Sequence, residues 1–376
     1  MSDRAFGIVT STPRRVNCFG MQDYRPAGAF SFLGRYRVID FAISNLSNSG
    51  IDNIQVYLNR NPRALTDHLG IGRTYNINSK SGRLQLLYCN HHKELNEVYN
   101  TDVSDYIDNM DYIDGLRQKY VVILPCYMVF RQDFSALLNE HIESGADITM
   151  LYHKVNNARD HYLNCRVMTL DQDQMVTSLE LNRGNRMNQA VFMDTYIMTK
   201  ELFLSLVHRA HEYSSTYSLA QMISVVCRGA ELNIRGVQHK GYFASINDLK
   251  AYYDANIDLL DIKKARDLFQ EDWPIYTRTT DSCPTKILED AHVTGSMISN
   301  GCLIEGTVEN CVIGRGVRIH KDAVVKNSII LSYAEIGSGI TLDCQIVDKW
   351  ARITRTKNDL ISTPEEPGYV RKHDIL

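Results

Sequence analysis

The sequence predicts an α/β protein in two parts, a mostly parallel sheet with helices on both faces followed by a parallel β-helix. In the first 250 or so residues, strand-length apolar runs alternate with segments that repeat apolar residues at helical spacing. After residue 286, aliphatic residues recur every six positions, with glycines and small polar residues between them. We therefore expect a sheet domain over 1–262, a connector over 263–285 and a β-helix over 286–376.

The strands and helices of the first part follow from these local patterns. The predicted strands are residues 5–9, 51–58, 120–125, 147–155, 191–198 and 232–238. Residues 36–50 and 134–145 are predicted to be helical, since apolar residues recur at helical spacing and each segment stops at a glycine. Residues 246–269 read as one long amphipathic helix, and the segment "WPIYTRTTDSCPTK" then closes the first part.

The β-helix prediction rests on one set of aliphatic residues. Its members are Ile313, Ile319, Val325 and Leu331, which stand six apart, and Ile336 and Leu342, which follow after a one-residue shift. In a parallel β-helix each repeat of this length forms one short strand and its turn. The spacing therefore predicts that these side chains point into a common core.

Composition places the protein among ordinary globular proteins. Its 376 residues suggest two domains, and its net charge of −3 gives no basic field for nucleic acid or an anionic membrane. No apolar run is long enough for a signal peptide or a membrane span. Nine cysteines without a C-x-x-C pair indicate reduced thiols, so we expect a cytoplasmic protein.

The turn after the first predicted strand lacks the residues of a phosphate-binding loop. Nucleotide-binding α/β proteins usually place glycines there, so that phosphate approaches the backbone. This chain has Thr12, Pro13, Arg14 and Arg15, with no glycine before Gly20. Proline has no amide donor, and side chains obstruct a close approach, so the turn reads as a nucleotide site that has been lost.

Several segments carry a resemblance to one enzyme family. "GRYRVIDFAISNLSNSGIDNIQVYL", "WPIYT" and "AYYDANIDLL" resemble segments of glucose-1-phosphate adenylyltransferases (ADP-glucose pyrophosphorylases), and the similarity covers nearly the whole chain. The resemblance implies a glycosyltransferase-A-like nucleotidyltransferase domain and a left-handed β-helix. Active members convert ATP and glucose 1-phosphate to ADP-glucose and pyrophosphate, with Mg²⁺ held by two aspartates to neutralise charge during phosphoryl transfer.

The positions aligned with the family's functional residues carry different side chains here. Tyr127 and Ser245 stand where the resemblance places the metal-binding aspartates, and Ser104 stands at a sugar-contacting aspartate. Neutral hydroxyl groups are poor ligands for Mg²⁺, which prefers carboxylate oxygens. We therefore expect no catalytic residue, metal or cofactor in this chain. The pattern resembles the D-type (GlgD) subunits of Gram-positive bacteria, which assemble with a catalytic partner that holds the Mg²⁺.

Two alternatives to a regulatory subunit remain open from the sequence. In the first, the chain is a weakly active adenylyltransferase, in which Asp248 substitutes as a metal ligand and Arg183 contacts the sugar phosphate. In the second, the β-helix acts as an acyltransferase or a scaffold, with His320 as the catalytic candidate. The regulatory reading implies a heterotetramer with a catalytic subunit.

A phosphorylated effector is the remaining expected ligand. The resemblance implies that such effectors lie between the two domains, where Arg25 and Arg37 match two of the family's basic positions and Ser31 replaces a histidine. Arg371 and Lys372 are further candidates from the C-terminal segment. The alternative is that Arg25 and Arg37 form only surface ion pairs.

Two other polar clusters are given structural interpretations. The aspartates recur every three residues and fit the solvent side of a helix; they are Asp102, Asp105, Asp108, Asp111 and Asp114. His91 and His92 have no nearby residues at metal-ligand spacing.

Overall fold

A computed structural model describes residues 4–11, 16–58, 61–80, 82–88, 99–355 and 359–376. The strands of the first part are β1 (Ala5–Thr10), β2 (Ser31–Phe32), β3 (Tyr36–Arg37), β4 (Asn53–Leu58), β5 (Arg83–Tyr88), β6 (Tyr120–Pro125), β7 (Met128–Phe130), β8 (Ile148–Val155), β9 (Arg166–Leu170), β10 (Val176–Leu181), β11 (Gln189–Thr199), β12 (Ile234–Gln238) and β13 (Phe243–Ser245). Its helices are α1 (Val38–Asn48), α2 (Arg63–Leu69), α3 (Asp102–Asp108), α4 (Met110–Asp114), α5 (Phe134–Ser144), α6 (Lys200–Tyr213), α7 (Leu219–Arg228), α8 (Leu249–Asp258) and α9 (Ile262–Leu268). Among these residues, no helix has the length and apolar character needed to cross a membrane.

The described residues form a nine-stranded sheet in the order β10-β9-β11-β6-β1-β4-β5, with β8 beside β11 and β12 beside β8. Strands β5, β4, β1 and β6 are parallel, whereas β11 is antiparallel to both β6 and β8. Along β1, Ala5 and Val9 pack with α1 on one face, and Phe6 and Ile8 pack with α6 and α7 on the other. The predicted sheet with helices on both faces is confirmed, and all six predicted strands lie in it.

The prediction of one helix over residues 246–269 is wrong. The segment forms α8 and α9, and the break follows Asp258. Asp248 begins α8, where its Oδ1 accepts a hydrogen bond from the Ala251 amide at 2.7 Å. Asp261 begins α9 in the same way, with the Lys263 amide 2.8 Å from its Oδ1. An aspartate that offers its side chain to free amides favours a new helix start over continuation.

The C-terminal part is a left-handed parallel β-helix. Its strands are β14 (Lys286–Ile287), β15 (His292–Thr294), β16 (Met297–Ile298), β17 (Leu303–Ile304), β18 (Thr307–Glu309), β19 (Val312–Ile313), β20 (Arg318–Ile319), β21 (Val324–Lys326), β22 (Ile329–Ile330), β23 (Glu335–Ile336), β24 (Thr341–Asp343), β25 (Gln345–Val347), β26 (Arg352–Ile353), β27 (Leu360–Ile361) and β28 (Gly368–Val370). Three strands make one coil, and each pairs in parallel with the equivalent strand of the next coil, which gives three five-stranded sheets in the described residues.

The predicted repeat is confirmed except at one position. The expected residues lie in the β-helix core, apart from Leu331. Ile330 occupies that register position, because it pairs with Ile313 in the preceding coil and with Val347 in the next. Leu331 instead joins the core of the sheet domain. The one-residue shift therefore falls one repeat earlier than the spacing predicts.

One sheet of the β-helix packs directly on the first domain. Val312, Ile329 and Ile346 belong to the same apolar cluster as residues of α1 and α8. In addition, the Tyr253 hydroxyl of α8 donates to the Asn327 carbonyl at 2.5 Å. Apolar burial and this hydrogen bond hold the two parts together.

Two histidines lie side by side at the ends of β8 and β12. The Nδ1 atoms of His153 and His239 are 3.2 Å apart, and His239 Nε2 lies 3.0 Å from the Arg131 carbonyl. Because a carbonyl only accepts, His239 Nε2 carries the proton and its Nδ1 accepts from His153. Burial is the main cause that lowers the pKa of His239 to about 4, and burial also lowers the pKa of His153.

Acid should destabilise the protein through this pair. Between the ordinary histidine pKa of 6.5 and about 4, the unfolded chain binds a proton that folded His239 does not, so stability is lost as pH falls through that window. From His239 alone we expect a loss of about 2 kcal/mol by pH 5. Urea unfolding at pH 7.5 and pH 5 measures it, with His239→Gln as the control. An equal loss in that variant would contradict this origin.

Candidate functional site

The two positions aligned with metal-binding aspartates lie next to each other. Tyr127 follows β6, and Ser245 ends β13, which pairs with β7 so that Ser245 is opposite Met128. The Ile246 amide donates to the Tyr127 carbonyl at 2.9 Å. Both side chains are buried. The fold therefore brings together the pair that the resemblance singles out.

Tyr127 is bonded to a carboxylate. Its hydroxyl donates to Asp194 Oδ2, and the other oxygen of Asp194 lies 3.8 Å from Arg166 Nη1. Asp194 has a left-handed backbone (φ 45°) at an irregularity in the pairing of β11 with β8. Asp194 and Arg166 also line a cavity of about 290 Å³ with Thr10. The phenol thus serves as a hydrogen-bond donor that holds a buried carboxylate.

The surroundings of Ser245 are neutral. Its hydroxyl donates to Asn247 Oδ1 at 2.5 Å, and Asn247 Nδ2 lies 2.8 Å from the Cys165 sulfur. Serine, asparagine and the buried thiol of Cys165 do not match the carboxylate oxygens that Mg²⁺ prefers. Over the part of the chain that the structure describes, no cluster of three histidine, cysteine, aspartate or glutamate side chains forms a metal site. These residues therefore do not fit the Mg²⁺ ion that the resemblance associates with the family.

In the weakly active alternative, Asp248 and Arg183 replace the missing ligands. Asp248 has a hydrogen-bond partner of its own, and Arg183 lies elsewhere on the surface. Asp248 lines a cavity of about 560 Å³ together with Ser245, but its Oδ1 is bonded to the first turn of α8. Arg183 is exposed beyond the end of β10 and lines neither this cavity nor the one beside Asp194. Asp248 and Arg183 therefore do not share either of these cavities.

Ser104 belongs to a helix cap. It lies in the first turn of α3, where its amide donates to Thr101 Oγ1 and its own Oγ accepts from the Thr101 amide, both at 3.1 Å. This reciprocal capping box satisfies two backbone donors at the start of the helix. The other loop prediction, at residues 12–15, lies outside the described residues and stays a prediction.

A third cavity, of about 350 Å³, lies between the two domains and is strongly basic. The cationic residues that line it are Arg35, Arg37, Arg278, Arg315 and Lys349. None of these five forms an ion pair with any residue that the structure describes. Asp67 is the acidic residue among the lining residues. We call this cavity the basic cavity.

Burial and mutual repulsion weaken the protonation of these cations. Burial, then Arg37 and Arg25, hold the pKa of Lys349 well below its usual range. Burial, followed by Arg25, lowers the pKa of Arg37 to about 10, and burial with Arg35 lowers that of Arg315. Because these positive charges repel one another, a bound anion would stabilise the cluster.

Of the predicted effector residues, only Arg37 lines the basic cavity. Arg25 is buried elsewhere, with its Nη2 2.7 Å from Asp348 Oδ1, and the Tyr369 hydroxyl donates to the other Asp348 oxygen at 2.7 Å. Arg371 is exposed, and the Lys372 ammonium lies 5.6 Å from the centre of the Tyr24 ring. No sequence pattern singled out the other four cations of the cavity, although Arg35 stands only two residues from Arg37. These four are Arg35, Arg278, Arg315 and Lys349.

The structure also shows where the aspartate row and His320 lie. Asp105 is buried, so the prediction that the whole aspartate row faces solvent is wrong at that residue. His320 lies in a half-buried row of charged residues on the β-helix, with its Nε2 3.0 Å from Glu335 Oε1 and its Nδ1 3.7 Å from Glu305 Oε2. His91 and His92 lie outside the described residues.

Comparisons with known proteins agree with this architecture. Residues 23–262 match the nucleotidyl transferase family, and residues 283–358 match the GlmU-like C-terminal hexapeptide family. The chain is similar to glucose-1-phosphate adenylyltransferases of Bacillus cereus, Bacillus anthracis and Bacillus mycoides, with 27% identity over 323 residues, which is 85% of this chain and 85% of each relative. The protein therefore belongs to the nucleotidyl transferase family and is homologous to glucose-1-phosphate adenylyltransferases.

Proposed function

We propose that this chain is a non-catalytic or weakly catalytic regulatory subunit of an ADP-glucose pyrophosphorylase in cytoplasmic glycogen biosynthesis. It assembles with a catalytic subunit, which holds the Mg²⁺, and raises that subunit's activity in a heterotetramer. The observation that carries the proposal is the hydrogen-bonded pair of Tyr127 and Asp194 beside a neutral Ser245. Without two carboxylates there, nothing neutralises the charge that develops in phosphoryl transfer.

A weakly active adenylyltransferase is the second candidate. It is favoured by one observation, that Asp248 and Ser245 line the same cavity. For Asp248 to hold a metal through Oδ1, however, that oxygen would have to leave the Ala251 amide, which costs about 1 kcal/mol for a lost cap.

The assembly proposal is supported by an apolar end of the β-helix. Ile287, Val293 and Ile298 occupy the inward positions of the first coil, and strands β14, β15 and β16 each pair on one side only within the described residues. Ile287 is 53% exposed. The opposite end differs, because the C-terminal segment continues the last coil there. The Leu376 amide donates to the Arg352 carbonyl at 2.9 Å, and Ile375 pairs with Arg352. An uncovered core end with free strand edges fits a second β-helix domain.

Mixing should reveal the regulatory role. Assayed with ATP, glucose 1-phosphate and Mg²⁺, the chain alone should show negligible turnover, because it lacks metal carboxylates. Mixed with a catalytic glucose-1-phosphate adenylyltransferase, it should co-elute and change turnover or apparent substrate affinity by about 5- to 150-fold, the range of typical coupling energies. Ile287→Lys should weaken co-elution, whereas Ile375→Lys, at the other end, should not. Two outcomes would contradict the proposal. One is turnover by the isolated chain that EDTA abolishes, and the other is a mixture that shows neither co-elution nor any change in kinetics.

We further propose that the basic cavity binds a phosphorylated effector. A ligand at about 100 times its dissociation constant should stabilise the chain by about 2.7 kcal/mol, measured as a rise in melting temperature with inorganic phosphate or a sugar phosphate. Lys349→Met removes an unpaired cation, so it should weaken this response without destabilising the free protein. Arg371→Met, at an exposed site outside the cavity, should keep the response. If Arg371→Met weakened the response and Lys349→Met kept it, the result would favour the effector site predicted from the sequence.

A further inference from the structure

Thr280 lies between the two domains, on the wall of the basic cavity. Its Oγ1 accepts a hydrogen bond from Arg315 Nη1 at 2.8 Å, and the residue is exposed. Thr280, Arg35 and Arg315 also line a neighbouring cavity of about 480 Å³. The hydroxyl therefore lies beside guanidinium groups at a point where two cavities adjoin.

The backbone around Thr280 is free of regular structure. Residues 278–284 belong to neither a helix nor a strand, and they form no backbone–backbone hydrogen bond with any described residue. A segment held by so few bonds opens locally at low cost, so an enzyme can take Thr280 into its active site. Ser332 also lines the cavity, but a coil of the β-helix fixes its backbone, where its carbonyl accepts from the Trp350 amide.

A phosphate group on the Thr280 hydroxyl would meet an unpaired set of positive charges. Phosphothreonine carries a charge of about −1.5 to −2 at pH 7 and three strong acceptor oxygens. The five cations of the basic cavity form no ion pair with described residues, and Arg315 already donates to the oxygen that would bear the phosphate. The covalent group would gain charge-assisted hydrogen bonds there and relieve the repulsion among the cations.

We propose that Thr280 is a phosphorylation site, at which an ATP-dependent protein kinase attaches a phosphate group that then occupies the basic cavity. In this step the Thr280 oxygen bonds to the γ-phosphorus of ATP, and the bond from that phosphorus to the bridging oxygen breaks. ADP leaves, and the hydroxyl proton passes to solvent. The consequence rests on the proposed effector site, because the modified side chain takes the place of a free phosphorylated ligand.

Labelling tests the modification itself. The full chain, incubated with an extract of its native cells and ATP labelled at the γ-phosphate, should acquire the label. Thr280→Val removes the hydroxyl and keeps the shape of the side chain, so it should abolish labelling, whereas Thr279→Val should not. No labelling of the parent chain, or labelling that survives Thr280→Val, would overturn the inference.

A permanent charge at the same position tests the effect on the basic cavity. Thr280→Glu should raise the melting temperature of the free protein, because its carboxylate lies among unpaired cations. It should also raise the dissociation constant for inorganic phosphate at least about tenfold. Ser282→Glu, in the same segment but outside both cavities, should do neither.

The outcomes separate the modification from the effector site. Equal behaviour of Thr280→Glu and Ser282→Glu would refute occupation of the basic cavity by the modified side chain. If the parent chain bound no phosphate, while Thr280 was labelled and Thr280→Glu raised the melting temperature, the effector site would be refuted and the modification site supported.

Discussion

Asp348→Ala should destabilise the protein by about 3–5 kcal/mol, the range for breaking one side of a buried ion pair. Asp348 is fully buried and receives bonds from Arg25 and from the Tyr369 hydroxyl, each at 2.7 Å. Its removal leaves the guanidinium of Arg25 buried without a counter-ion, next to the cationic groups of Arg37 and Lys349. Denaturant unfolding measures the loss.

Two further variants distinguish the lost pair from lost packing. Asp281→Ala, at an exposed position of the connector, should change stability by less than about 0.5 kcal/mol. Arg25→Met combined with Asp348→Leu removes both charges and should recover most of the stability, because a buried pair replaced by apolar groups is often neutral. If the double variant were as unstable as Asp348→Ala, the uncompensated charge would not be the cause.

Tyr127→Asp should also destabilise the protein by about 3–5 kcal/mol, and it should not create an enzyme even with Ser245→Asp. The new carboxylate would lie near Asp194, which loses the hydrogen bond that the phenol donates. The substitution also removes a fully buried ring and leaves a cavity behind it. The measurements are denaturant unfolding and synthesis of ADP-glucose by the double variant with Mg²⁺.

Tyr127→Phe is the matched control for this prediction. It keeps the ring and deletes only the hydroxyl, so the cost should fall to about 1–3 kcal/mol for a buried carboxylate that loses one of its donors. Equal losses for Tyr127→Phe and Tyr127→Asp would show that repulsion and the cavity contribute little. Efficient Mg²⁺-dependent turnover by the double variant would refute both this prediction and the view that residues 12–15 exclude the triphosphate.

The helix and strand pattern was largely predictable because it depends on local periodicity. The strands alternate with helices in the order that the apolar runs indicated, and the six-residue repeat identified the β-helix core. The errors arose where a short-range signal competed with that periodicity. Asp261 begins a new helix inside a continuous amphipathic pattern, and Ile330 stands beside Leu331, so spacing alone does not decide which one points inward.

Part of the site was also visible in the residue types. The absence of carboxylates at 127 and 245 is a property of the sequence, and the fold places those two positions side by side. Asp194 is a further clue within the sequence, because a charged residue inside an apolar strand is rare unless it is paired. Its partner Tyr127 is 67 residues away, and no local pattern identifies that contact.

The sequence by itself determined the α/β and β-helix architecture and the neutral chemistry at the aligned metal positions, because both depend on residue type and short-range spacing. Only the tertiary structure decided which cations share a cavity. Arg25 and Arg37 are equally basic in the sequence, but Asp348, 323 residues after Arg25, neutralises the first and leaves the second beside Arg315 and Lys349. The electrostatic role of a charge depends on its neighbours in space, and those neighbours come from distant segments that only packing of the β-helix on the sheet domain brings together.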